Sequence, residues 1–115
     1  AISLRNVRPG RIEPTVAAML GNNPFSTTAS STTITVTENN HGRTSGDTVR
    51  FRNVQGSPGG VAFTAYEDSS GFSITVTTTD KYTFTLGSTP SITEDGGGPT
   101  VSAGPVTITP WLTKF

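Results

Sequence analysis

The stretch NNHGRTSGDTVRF, residues 39–51, holds the chain's one histidine, His41, and ahead of the next apolar alternation it holds Asp47. An imidazole and a carboxylate can polarise an oxygen or sulfur nucleophile, provided all three groups converge. No serine here sits in a recognisable nucleophile turn, and there is no cysteine. A tightly held metal takes about three or four protein ligands, and one histidine with scattered acids falls short of that. Paired-acid hydrolysis needs two carboxylates facing each other across a cleft. Glu67-Asp68 and Glu94-Asp95 are instead neighbours in sequence, within turn clusters. The residue types therefore predict no catalysis, no metal centre and no cofactor. The same residues have an architectural use. Gly42 and Gly46 permit the positive φ of a tight loop, and Asp47 can accept hydrogen bonds from loop N–H groups. His41 can donate to a backbone carbonyl and pin the crossing. These four residues are expected to form a structural loop between two strands.

The elements that must hold this loop follow from a hydrophobic period of two. TTITVTE puts Ile34 and Val36 on one face, with Thr33, Thr35 and Thr37 on the other. TVRFRNV puts Val49 and Phe51 inward, with Arg50 and Arg52 outward as edge charges that oppose aggregation. GVAFTAY offers Val61, Phe63 and Ala65; FSITVTTT offers Phe72, Ile74 and Val76. KYTFTL offers Tyr82, Phe84 and Leu86, and PVTITP offers Val106 and Ile108. TTTDKY predicts a hairpin bending at Asp80-Lys81, and EDSSG a second turn. The glycine-rich stretch 88–104 reads as a loop. Six such runs need a second layer over their apolar face. The expected fold is all-β, a small antiparallel barrel or sandwich of about six to seven strands.

Composition agrees. Thr 22 and Ser 12 make 34 of 115 residues hydroxylic, and threonine suits the pleated surface. Hydrophobic residues are 31% and charged residues 14%, so this is not the highly charged signature of a disordered chain. Net charge is zero. A nucleic-acid partner would need a basic stripe, so none is expected. No apolar run approaches the roughly 20 residues of a membrane span, so no membrane partner is expected either.

Residues 1–31 are expected to form an N-terminal arm, and 32–115 the β domain with an apolar tail. Pro9, Pro14 and Pro24 exclude a long helix, leaving at most a helical turn over PTVAAMLG, 14–21. Arg5, Arg8, Arg11, Met19, Leu20 and Phe25 are the arm's candidate contacts with a partner. Trp111, Leu112 and Phe115 are the tail's. A rival use of aromatics is sugar binding, for which Trp111, Tyr66 and Tyr82 are the candidates. Ala1 fits a cytoplasmically made protein that has lost its initiator methionine.

STTITVTENNHGRTSGDTVRFRNVQG, followed by FSITVTTTDKYTFTLGS, resembles a small β-barrel module recurrent in virion proteins of tailed bacteriophages. The pattern is a Thr/Val strand, HG, a few residues, GD, an aromatic-containing strand, and a hairpin ending in TFT. NPFSTT precedes it. The module is similar to the first catalytic-cysteine half-domain of ubiquitin-activating enzymes, which lacks the catalytic cysteine. The likeness covers residues 24–88, and the link 55–71 is more elaborate than the pattern's own. It implies a non-enzymatic structural protein of the virion, made in the bacterial host cytoplasm. The expected role is a capsid cement or decoration protein. Its arm would bridge major capsid subunits, as a homo-oligomer and most simply a trimer. A tail, neck or baseplate component is the alternative, and a carbohydrate-binding module is the alternative of another class.

Overall fold

A computed structural model describes residues 18–106. Nine strands form two antiparallel sheets, with no α-helix among the described residues. The strands are β1 (Ala18–Met19), β2 (Phe25–Thr28), β3 (Ser31–Thr37), β4 (Thr48–Arg52), β5 (Phe72–Ser73), β6 (Thr75–Val76), β7 (Lys81–Thr85), β8 (Glu94–Gly96) and β9 (Ser102–Gly104). One sheet has the order β1-β9-β4-β5 and the other β6-β7-β3-β2-β8. The architecture is an open sandwich rather than a closed barrel.

Period-two alternation becomes burial as expected in β3, β4 and β7. Ile34, Val36, Val49, Phe51, Tyr82, Phe84 and Leu86 are all buried, while the threonines between them face out. Aromatic rings join the two layers. Phe51 of one sheet meets Phe25 and Phe84 of the other at 5.0 and 5.2 Å between centroids, and Phe72 lies 4.4 Å from Phe84. Edge-to-face and tilted contacts of this kind add to the area they bury. The FSITVTTT run is split. Phe72–Ser73 pairs with β4, Thr75–Val76 pairs with β7, and the chain changes sheet at the buried Ile74. The hairpin around Asp80-Lys81 forms as expected, with the Thr77 and Thr78 N–H groups donating to the Lys81 carbonyl.

Four expectations are corrected. First, the paired strands begin at Ala18, not at Thr32. Ala18 and Met19 pair with Ala103 and Ser102, so they are strand and not helical turn. β2 lies inside the five-stranded sheet between β3 and β8. Second, 88–104 is not a free loop, because β8 pairs with β2 and β9 sits between β1 and β4. Third, GVAFTAY is not a strand. Pro58–Gly60 and Phe63–Ala65 are single 3-10 turns, and Phe63 is 44% exposed. Proline offers no ladder N–H, and Gly59 has φ 66°. A Cβ at Gly59 would sit 2.8–2.9 Å from Thr27 and Pro90, so this link is packed down on the five-stranded sheet. Fourth, β4 is an inner strand, so Arg50 and Arg52 guard no sheet edge. Ile108 and the rest of the PVTITP run beyond Val106 lie outside the described residues.

Candidate functional site

The histidine loop runs from the end of β3 to the start of β4. Three of its side chains turn inward. Glu38 is 4% exposed, His41 is 2% exposed, and the Arg43 guanidinium folds back over them. Gly42 (φ 65°) and Gly46 (φ 98°) supply the positive φ values that let the loop reverse. The Asp47 carboxylate accepts the Thr44 N–H at 2.9 Å, and the Asp47 N–H returns to the Thr44 carbonyl at 3.0 Å. His41 Nδ1 accepts the Arg43 N–H at 2.9 Å. That assigns the remaining ring proton to Nε2, which donates to the Thr78 carbonyl at 2.7 Å. Both ring nitrogens thus serve the backbone, and neither bonds to Asp47.

Beneath the ring lies a buried ion pair. Arg43 Nε donates to Glu38 Oε1 at 3.0 Å, and a terminal Arg43 nitrogen donates to Oε2 at 3.3 Å. The same nitrogen reaches the Ala103 carbonyl at 3.2 Å, in the opposite sheet. The Tyr82 hydroxyl donates to Glu38 Oε1 at 2.7 Å. Arg43 lies over the Tyr82 ring, 5.8 Å from its centroid, and His41 meets that ring edge-on at 5.2 Å. Burial first, and the Glu38 carboxylate second, push the Tyr82 hydroxyl far above its ordinary range. The arrangement can tie two sheets together. Its Glu38, His41 and Tyr82 side chains are buried. Glu38 and Arg43 are not among the residues singled out from the sequence, where Tyr82 stands as a core residue and a sugar candidate, not as a partner of Glu38.

The remaining candidates lie elsewhere. Phe25 is corrected from partner contact to core. It is fully buried against Phe51, Tyr66 and Phe84, because its strand is inside the sheet. Leu20 packs partly on the core, while Met19 is 64% exposed. Tyr66 and Tyr82 are fully buried, so neither is a platform for a sugar. The Tyr66 hydroxyl donates to the Pro58 carbonyl at 2.6 Å. Burial, then the Glu94 charge, push it up to about 12. Arg5, Arg8, Arg11, Trp111, Leu112 and Phe115 lie outside the described residues. A shallow depression of about 510 Å³ is lined by Met19, Asn53, Val54, Gln55 and Thr100, none of them titratable. Among the described residues no three acids, histidines or cysteines cluster as metal ligands do.

No known protein family and no curated protein matches the chain. A solved structure does. The fold is similar to part of the phage phi92 endosialidase, with a TM-score of 0.54 and 27% identity over 74% of this chain. The β fold is therefore one that a bacteriophage protein also carries. The chain spans only 11% of that protein's length.

Proposed function

We propose that the chain is a non-enzymatic structural module of a bacteriophage virion. The observation that carries this reading is the likeness to a segment of a phage protein over 74% of the chain. What favours the non-enzymatic part is that both His41 ring nitrogens, the Glu38 carboxylate and the Tyr82 hydroxyl bond within the fold. Rigidity between two sheets is a property that a permanent part of a particle needs. Within the virion, our first reading is a capsid cement protein that joins major capsid subunits as an oligomer. The second reading is a folding unit within a larger tail, neck or baseplate protein. That second reading is favoured by the small share, 11%, of the phage chain that the likeness covers.

The test is fractionation. Particles carrying the chain are separated into heads and tails, and each fraction is quantified by mass spectrometry. The cement reading expects enrichment in heads, at copy numbers near those of the capsid protein. A low-copy signal confined to tails selects the second reading. Absence from both fractions overturns the virion assignment.

A further inference from the structure

The His41 ring sits where a second proton has no acceptor. The ring is 2% exposed, and each of its nitrogens has one fixed task. Nε2–H donates to the Thr78 carbonyl at 2.7 Å, and the Nδ1 lone pair accepts the Arg43 N–H at 2.9 Å. Imidazole is the side chain whose ordinary charge change falls between about pH 5 and pH 8, and the chain has one. A proton added at Nδ1 removes the lone pair that holds Arg43. Two N–H donors would then face each other, at hydrogen-bond distance, in a buried site.

The charged groups around the ring come from three elements. Glu38, just past β3, would attract an imidazolium, but its Oε1 already takes Arg43 Nε and the Tyr82 hydroxyl, and its Oε2 a terminal Arg43 nitrogen. Arg43, on the ring's own loop, would repel an imidazolium. Asp47, on the same loop, accepts the Thr44 N–H. From the turn between β6 and β7, the Asp80 carboxylate accepts the Asn40 N–H at 2.9 Å. From β7, Tyr82 meets the ring edge-on, and the Lys81 ammonium donates to the Thr37 hydroxyl. Among the described residues no carboxylate bonds to the ring. Glu38 and Arg43 already answer each other's charge, so the missing acceptor at Nδ1 decides the outcome.

The ring's bonds belong to a seam between its loop and the β6–β7 turn. His41 N–H donates to the Thr79 carbonyl at 3.1 Å, and Glu38 N–H to the Asp80 carbonyl at 2.8 Å. The far end of the loop is tied elsewhere. Gly46 N–H donates to the Ile74 carbonyl, and Ile74 N–H returns to the Asp47 carbonyl. The opened seam takes up a proton that the closed one excludes, so falling pH favours opening.

We propose that His41 is a pH-sensitive latch: protonation at Nδ1 releases residues 39–44 from the β6–β7 turn while the two sheets stay packed. The latch goes beyond the virion reading and does not rest on it.

The experiment follows the full chain, labelled with nitrogen-15, from about pH 8 to about pH 5. The ring nitrogen signals and amide hydrogen exchange are read together. At the upper end the ring should carry a proton on Nε2 alone. As it gains the second proton, protection of the His41 and Arg43 amides, corrected for the intrinsic pH dependence of exchange, should fall about tenfold or more. Protection should hold at Gly46 and at Leu86, whose N–H donates to the Thr32 carbonyl. His41→Gln, whose amide both donates and accepts and does not titrate, should remove the pH step. Far-ultraviolet circular dichroism shows whether that variant is folded, and the parent chain decides the matter if it is not. A ring that becomes charged while the Arg43 amide stays protected overturns the latch. So does a ring that stays neutral throughout, or one with its proton on Nδ1 at the upper end. Protection lost at Leu86 in the same step replaces local release with unfolding. An equal step in folded His41→Gln moves the switch to another group and ends the assignment.

Discussion

Arg43 and the Arg50–Arg52 pair are the same side-chain type in neighbouring segments, and the fold treats them oppositely. Arg43 meets a carboxylate through two nitrogens, a carbonyl of the opposite sheet and an aromatic face. Among the described residues, Arg50 and Arg52 bond to the carbonyls of Pro105 and Val106, and each keeps a buried donor unpartnered. The difference teaches where a burial penalty is balanced within the chain and where it is left open. A charge is buried at acceptable cost when its partner is buried with it. Arg43 has its burial balanced by Glu38, and the pair does not.

The contrast can be broken most sharply at Arg43. Arg43→Met leaves Glu38 buried without its cation and should cost about 3–5 kcal/mol in chemical denaturation. Adding Glu38→Leu should recover much of that loss, since a hydrophobic replacement of both partners is often neutral. A double variant as unstable as the single one would deny that the unpaired charge is the cause.

His41 comes next. His41→Ala leaves the Thr78 carbonyl and the Arg43 N–H without their partner, which should cost about 1–3 kcal/mol. An unchanged melting temperature would remove His41 from the pin.

Alkali attacks the two buried tyrosines, Tyr82 in the pin and Tyr66 outside it. The Tyr66 hydroxyl is pushed up to about 12 from 10.0 by burial first and Glu94 second, and Tyr82 moves in the same direction. A raised folded-state value stabilises the fold fully below the unfolded value near 10. That contribution fades as pH rises through the folded value. Absorbance near 295 nm, a tyrosinate signal, should therefore stay flat until the fold itself opens. Early ionisation of either tyrosine at unchanged fold would contradict the buried hydroxyls.

The smallest effect belongs to the other arginines. Arg50→Gln/Arg52→Gln should change stability by less than about 1 kcal/mol, because lost hydrogen bonds are offset by relief of like charges. A loss comparable to that of Arg43→Met would make the pair structural and end the contrast.

Legibility in the sequence followed side-chain type. Ile34 and Val36, Val49 and Phe51, and Tyr82, Phe84 and Leu86 announced their strands because one face is apolar and the other is threonine or charge. β9 was hidden because it is Ser102, Ala103 and Gly104, all buried, and small residues carry no alternation. Its pairing is set by neighbours on both sides, which no local pattern encodes. The run Val61, Phe63, Ala65 misled for the converse reason. Its alternation is that of a strand, but Pro58 and two positive-φ glycines had already committed the backbone to turns. The His41 loop was half visible. Its glycines, Asp47 and the Glu38–Arg43 pair are local in sequence, whereas Tyr82 is brought to Glu38 only by pairing of β3 with β7.

The pairing of Ala18 with Ala103 has a mechanical consequence. The path into the sandwich and the path out of it pass side by side, about 5 Å apart as opposed residues of an antiparallel pair are. Tension between those two points would run through a contact of two residue pairs and peel β1 off, strand end first. Until β1 is off, the aromatic interior and the Arg43 crossing would carry little of that load. The first thing such a pull undoes is therefore a two-residue strand, before it reaches Leu20 and β2.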